Sequence, residues 1–301
     1  MDRDQAAVET YRYLRVGLVG LAVLLMVAVA FQAISDGELL GSISAYYFTG
    51  VRDVFVGVLV ALGLGLIVVR GRGVEDVLLN LAGMLAPVVA FVPTSTSEAP
   101  GGAARYGALA DLDSSPLPAQ AGGTSTVWSL VVVGTLGLGF AAFTARRLSG
   151  RARSDALRGV IAGGVVVAGL AAWLAIGPDS FLRVAHYVAA AGLFGVFVVV
   201  SRLNARSAVD TEAPVMRMLP AERRRAAYAA ISWSMLVTVV VAGVLGLLEL
   251  GGRTPVDHWL FFVEAILLAL FATFWVLQTI EYWRDGVPLG PERGQSPPGP
   301  E

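Results

Sequence analysis

Residues 257–282 read DHWLFFVEAILLALFATFWVLQTIEY. Between His258 and Gln278 this run carries one ionisable side chain, Glu264. A bilayer core about 30 Å thick needs about 20 apolar helical residues, and the run supplies them. It lacks the period-two alternation of an outer-membrane strand, whereas a helix satisfies its own backbone polar groups in lipid. Working outward, seven further segments read the same way, at roughly 14–34, 51–70, 76–94, 126–146, 157–176, 180–203 and 227–249. The expected fold is all-α, a polytopic integral membrane bundle of eight transmembrane helices forming one domain over residues 1–283. The Pro/Gly-rich residues 284–301 are expected to be a disordered cytoplasmic tail.

Composition agrees. Of 301 residues, 56% are hydrophobic and 15% charged, against about 25% charged in an average soluble domain. A mean hydropathy of +0.70 excludes a soluble enzyme, a nucleic-acid binder and a disordered chain. The net charge of −1 creates no field for a polyanion. All 22 basic residues are arginine. There is no cysteine, which excludes disulfides, thiol chemistry and Cys-ligated zinc. No GxxxxGK[ST] phosphate loop is present, and the sequence points to no cofactor and no metal.

Arginine placement sets the expected orientation. With the N-terminus inside, 18 of the 22 arginines fall in inner segments, leaving Arg52, Arg105, Arg183 and Arg253 outside. The positive-inside rule then puts both termini in the cytoplasm of a plasma membrane. The first span is longer than a signal peptide's apolar core and is expected to stay as an anchor despite Ala28-Val29-Ala30. The outer loop 95–125 is rich in Gly, Pro, Ser and Ala and reads as a solvated connector. Its Asp111 and Asp113 lack the rest of a calcium loop. Gly159 with Gly163, and Ala191 with Gly195, are small-residue pairs that permit close helix approach.

Ionisable groups inside spans are costly and point to function. Three stand out. At 1.5 Å per residue, His186 lies roughly 9 Å and Glu264 roughly 10 Å into their spans. If the second helix starts at Ala45-Tyr46-Tyr47, Asp53 lies roughly 12 Å in, and all three share an outer layer. Ser44, Tyr47, Arg52 and Arg183 surround them in the expected ligand-binding set, and Arg52 can pair with Asp53 or Glu264. Asp53, Glu264 and His186 are the candidate catalytic groups. The cluster reads as a structural ion-pair knot, as a ligand, ion or proton site, or as a catalytic site. His258 reads as interfacial beside Trp259, Asn80 as an interhelical donor nearer the inner side, and Thr94 as a cavity-rim residue.

The motifs SISAYY at 42–47, RDVFVG at 52–57, NLAG at 80–83 and FVPT at 91–94 resemble a group of uncharacterised bacterial multi-pass membrane proteins. His186-Tyr187, Tyr228 and Trp259 with Glu264 extend the likeness in order along most of the chain. The group's proteins have six spans, so the resemblance implies that residues 126–176 are an insertion. It implies no activity. The chain is more distantly similar to the alkaline-ceramidase and adiponectin-receptor-like membrane hydrolases, which place Ser, Asp and His near one membrane face. That resemblance implies zinc on three histidines, with an HxxxH pair on the last helix. This chain has two histidines and no HxxxH, so three histidine ligands cannot assemble.

Three functions follow as expectations. The first is an outer-leaflet polar cavity that binds a small solute, an ion or a lipid headgroup. The second is a membrane-embedded lipid hydrolase using carboxylate and His chemistry. The third is a helix scaffold in a membrane complex. The expected partners are membrane lipids and a small solute or ion, not nucleic acid.

Overall fold

A computed structural model describes residues 3–69, 71, 73–92, 94, 123–210, 220–253 and 256–283. The described residues form eight α-helices and no strand. They are α1 (Arg3–Asp36), α2 (Arg52–Val68), α3 (Val74–Phe91), α4 (Gly123–Ala145), α5 (Gly150–Ile176), α6 (Pro178–Asp210), α7 (Ala221–Leu250) and α8 (Trp259–Glu281). All except α2 are long and apolar enough to cross a membrane. The 17 residues of α2 sit at the short end of the about 17–25 that spanning requires. Most of the loop 95–125, with Asp111 and Asp113, lies outside the described residues, as does the tail 284–301.

One difference from the sequence reading bears on the site. The second helix does not begin at residues 45–47. A separate 3₁₀ turn occupies Ser44–Phe48, Thr49 is extended at φ −115° and ψ −176°, and α2 starts only at Arg52. Asp53 therefore stands in the first turn of α2, exposed, and not roughly 12 Å deep in a helix. The break shortens α2 and lets the turn lie inside the bundle.

The core is built from α1, α2, α3, α6, α7 and α8. Helix α6 packs along α3 and α7, α2 along α3, and α8 along α1 and α7. Helices α4 and α5 pair with one another at the edge, against α3. In α3, 44% of the span is buried, against 6% in α4 and 11% in α5. A single residue, Gly177, joins α5 to α6. Its carbonyl accepts the Phe181 N–H at 2.9 Å, and Trp173 Nε1 donates to Ser180 Oγ across the joint at 2.9 Å.

Helices α2 and α3 approach backbone to backbone. Pro87 inside α3 has no N–H, so it frees the carbonyl four residues earlier, that of Gly83. Gly63 of α2 packs onto that carbonyl: a Cβ on Gly63 would stand 2.7 Å from Gly83 O, and one on Gly83 would stand 2.6 Å from Gly63 O. Between apolar helices such contact replaces the hydrophobic drive that lipid does not supply. The small-residue pairs singled out above play lesser parts. A Cβ on Gly163 would meet only side chains, and one on Gly195 would meet nothing within 4 Å. Gly63→Val or Gly83→Val should therefore cost about 1–3 kcal/mol through overpacking in an SDS-unfolding titration. Gly17→Ala, with open space around its Cβ, should leave the midpoint unchanged.

Candidate functional site

The segment linking α1 to α2 is held by the start of α8. Leu39 O accepts His258 Nε2 at 2.9 Å, and Gly41 O accepts the Phe261 N–H at 2.9 Å. Glu264 completes the attachment. Its Oε2 accepts the N–H groups of Ile43 at 2.5 Å and Ser44 at 3.1 Å, and its Oε1 accepts Ser44 Oγ–H at 2.7 Å. Ser42 Oγ accepts the Ala45 N–H at 3.0 Å. The first N–H groups of any helical turn lack internal partners. Here a carboxyl group from another helix supplies the acceptor. His258 adopts the left-handed conformation at φ 59° to cap α8, a cost that its bond to Leu39 offsets.

This attachment forms one end of a cavity of about 440 Å³ lined by α1, α2, α3, α6, α7, α8 and the 3₁₀ turn. Nearly all of its wall is aliphatic or aromatic; the polar side chains on it are Ser44, His186, Tyr187, Trp259 and Glu264. His186, 2% exposed, directs Nδ1 at Val92 O at 2.7 Å. Because a carbonyl only accepts, Nδ1 carries the proton, and the imidazole closes the end of α3. Trp259 Nε1 donates to the buried Glu249 Oε2 at 3.1 Å. The wall also includes Ala191 of α6 and Gly243, Leu247 and Leu250 of α7. All four are exposed, Leu247 by 71% and Leu250 by 56%. The cavity therefore opens sideways, at the apolar flank of the bundle.

Of the seven expected ligand-binding residues, Ser44, His186 and Glu264 meet on this cavity. The other four are not among its lining residues. Tyr47 is buried, edge-on to Phe48 and Phe55. Arg52 stacks over the Tyr47 ring at 4.5 Å and donates to its Oη at 2.7 Å. Asp53 is exposed and Arg183 half-buried. Thr94 is buried but not a lining residue. Glu249, Tyr187 and Trp259 escaped the sequence reading as site groups. The places of Glu249 and Trp259 at span ends, and of Tyr187 beside His186, were the signals that could have marked them.

A second polar layer sits at the opposite end, where α1, α3 and α7 begin and α6 and α8 finish. Asn204 Nδ2 donates to Glu75 Oε1 at 2.7 Å, and its Oδ1 accepts Gln278 Nε2 at 3.0 Å. Tyr228 Oη donates to Glu281 Oε2 at 2.6 Å, and Arg224 Nη1 lies 3.6 Å from Glu281 Oε1. Arg15, 1% exposed, lies over the Tyr282 ring at 5.1 Å. Counting Arg15 and Arg224 as topology markers hid this layer. Their signal was an arginine inside an apolar run and a Gln278/Glu281 pair within the eighth span.

Both layers make measurable predictions. Glu264→Ala leaves three donors without their acceptor, at about 1–3 kcal/mol each when buried, so the SDS-unfolding midpoint should fall steeply. Glu264→Gln keeps an acceptor oxygen and should fall less. Glu281→Ala strands Tyr228 and Arg224 and should cost about 3–5 kcal/mol, the usual penalty for halving a buried ion pair. Tyr228→Phe should cost less, because the ion pair survives.

Among the described residues, no three His, Asp or Glu side chains come together to hold a metal ion. No protein-family model, no curated protein and no solved structure matches the chain.

Proposed function

We propose that this chain is an eight-span protein of a bacterial plasma membrane, with both termini cytoplasmic, that binds a membrane lipid in its lateral cavity. The orientation rests on the 18-to-4 division of the arginines. It places Ser44, His186 and Glu264 in the outer leaflet.

The observation that carries the lipid reading is the sideways mouth at Ala191, Gly243, Leu247 and Leu250. A water-soluble solute or ion would need a polar path to Glu264. A lipid tail instead enters from the bilayer across an apolar rim. Its volume of about 440 Å³ lies within the about 300–1,000 Å³ typical of small-molecule sites. A tail already in the bilayer gains little hydrophobic free energy by moving between apolar surroundings. Packing and the lipid's polar end must therefore supply the selectivity, at the cluster around Glu264. Glu264 accepts three donors from the 3₁₀ turn, two on Oε2 and one on Oε1, which leaves an acceptor site on Oε1 for the polar end of a ligand.

The test is photolabelling. Wild-type protein in phosphatidylcholine nanodiscs, exposed to a photoactivatable hexadecanol, should be labelled saturably on peptides from α7 and α8. A Cβ on Gly243 meets nothing within 4 Å, so Gly243→Trp has room to fill the mouth while the fold persists. It should cut labelling at least fivefold with an unchanged unfolding midpoint. Labelling that never saturates, or that Gly243→Trp leaves intact, overturns the reading.

A further inference from the structure

The polar groups on the cavity wall are a carboxylate, an imidazole, an indole, a phenol and a hydroxyl; no arginine is among the described lining residues, and the chain has no lysine. Among the groups that ionise at neutral pH, the wall thus holds an acid and nothing with a permanent positive charge. Glu249 adds a second buried carboxylate directly behind Trp259. Two of the arginines that the sequence places on this side lie elsewhere. Arg52 is engaged with Tyr47, and neither it nor Arg183 is a lining residue.

Resting on the lateral-lipid reading, we infer that the cavity takes a single-chain amphiphile whose polar end donates hydrogen bonds, an alcohol or an amine, and rejects lipids with a phosphate headgroup. A phosphate would arrive as an anion rich in acceptor oxygens. It would face the acceptor oxygens of Glu264 across a medium that screens poorly, with no guanidinium among the described lining residues to pair with it. A hydroxyl or ammonium brings the donors that a carboxylate accepts. The cavity would therefore discriminate by exclusion. The phosphate lipids that surround it would fit its apolar wall and fail at its polar end. The size of the cavity supports one chain, since its volume lies toward the lower part of the range for small-molecule sites.

The experiment uses full-length wild-type protein in phosphatidylcholine nanodiscs, labelled with the photoactivatable hexadecanol. Hexadecanol, hexadecylamine and hexadecyl phosphate are titrated as competitors over the same range of mole fractions. The alcohol and the amine should each halve cavity labelling at a mole fraction at least tenfold below that required by the phosphate. Glu264→Gln removes the charge, keeps an acceptor oxygen and should narrow the amine-to-phosphate ratio at least threefold. If the phosphate competes as well as the alcohol, headgroup exclusion is overturned while the lipid cavity stands. If no amphiphile gives saturable labelling, the lipid cavity fails and this inference fails with it. If Glu264→Gln does not fold, the wild-type competition ratio alone decides.

Discussion

The carboxylate of Glu264, receiving Ile43 N–H, Ser44 N–H and Ser44 Oγ–H, is the constraint on which the site end of the molecule depends. A short 3₁₀ turn has few internal hydrogen bonds and cannot lie buried unless something else accepts its first amides. With Glu264 in place, Ser44, Ala45, Tyr46 and Tyr47 are all buried, α2 begins only after them, and the cavity gains its polar end. The same contact ties α8 to the α1–α2 connection, reinforced on either side by His258 and the Phe261 amide.

The bundle is an apolar body with polar fastenings at both ends. Between them runs an aromatic core in which Phe197, Phe271, Phe274 and Trp275 meet edge-on at 4.8 to 6.3 Å. Lipid contacts apolar side chains as readily as a neighbouring helix does, so side-chain burial alone does not choose partners. Backbone contact at Gly63 and Gly83, and hydrogen bonds through Glu264, Asn204 and Glu281, give each helix a preferred neighbour. The edge pair α4–α5 shows the contrast. It has little buried surface and shares a covalent joint with α6 at Gly177.

Much of this was legible in the sequence, because apolar length alone dictates helices in a bilayer. The eight helices appear near their expected positions, and Ser44, His186 and Glu264 meet on one cavity because equal depth along spans running the same way puts residues in one layer. The expected depth of Asp53 does not hold, because it assumed a continuous helix from residue 45 and a 3₁₀ turn intervenes. Arg52 was drawn toward the acids by charge, whereas the ring of Tyr47 holds it; Arg183 was placed by lying one turn before His186, and it is not a lining residue. The network around Glu281 stayed hidden because arginine beside a span already has a sufficient explanation in topology. The lateral mouth was invisible for another reason. A glycine or alanine that faces lipid and one that faces a cavity look the same in sequence.

Glu264 lies 221 residues along the chain from Ile43, and the partners of Asn204 and Tyr228 at the other end, Gln278 and Glu281, also belong to α8. Synthesis proceeds from the N-terminus, so α1 to α7 emerge before the helix that satisfies them. Until α8 arrives, the amides of Ile43 and Ser44 lack their acceptor, Asn204 lacks its donor from Gln278, and Arg224 and Tyr228 lack Glu281. The α1–α2 connection, α6 and α7 therefore enter the membrane before these polar groups have their partners. The last helix to be made, α8, supplies those partners at both ends of the molecule.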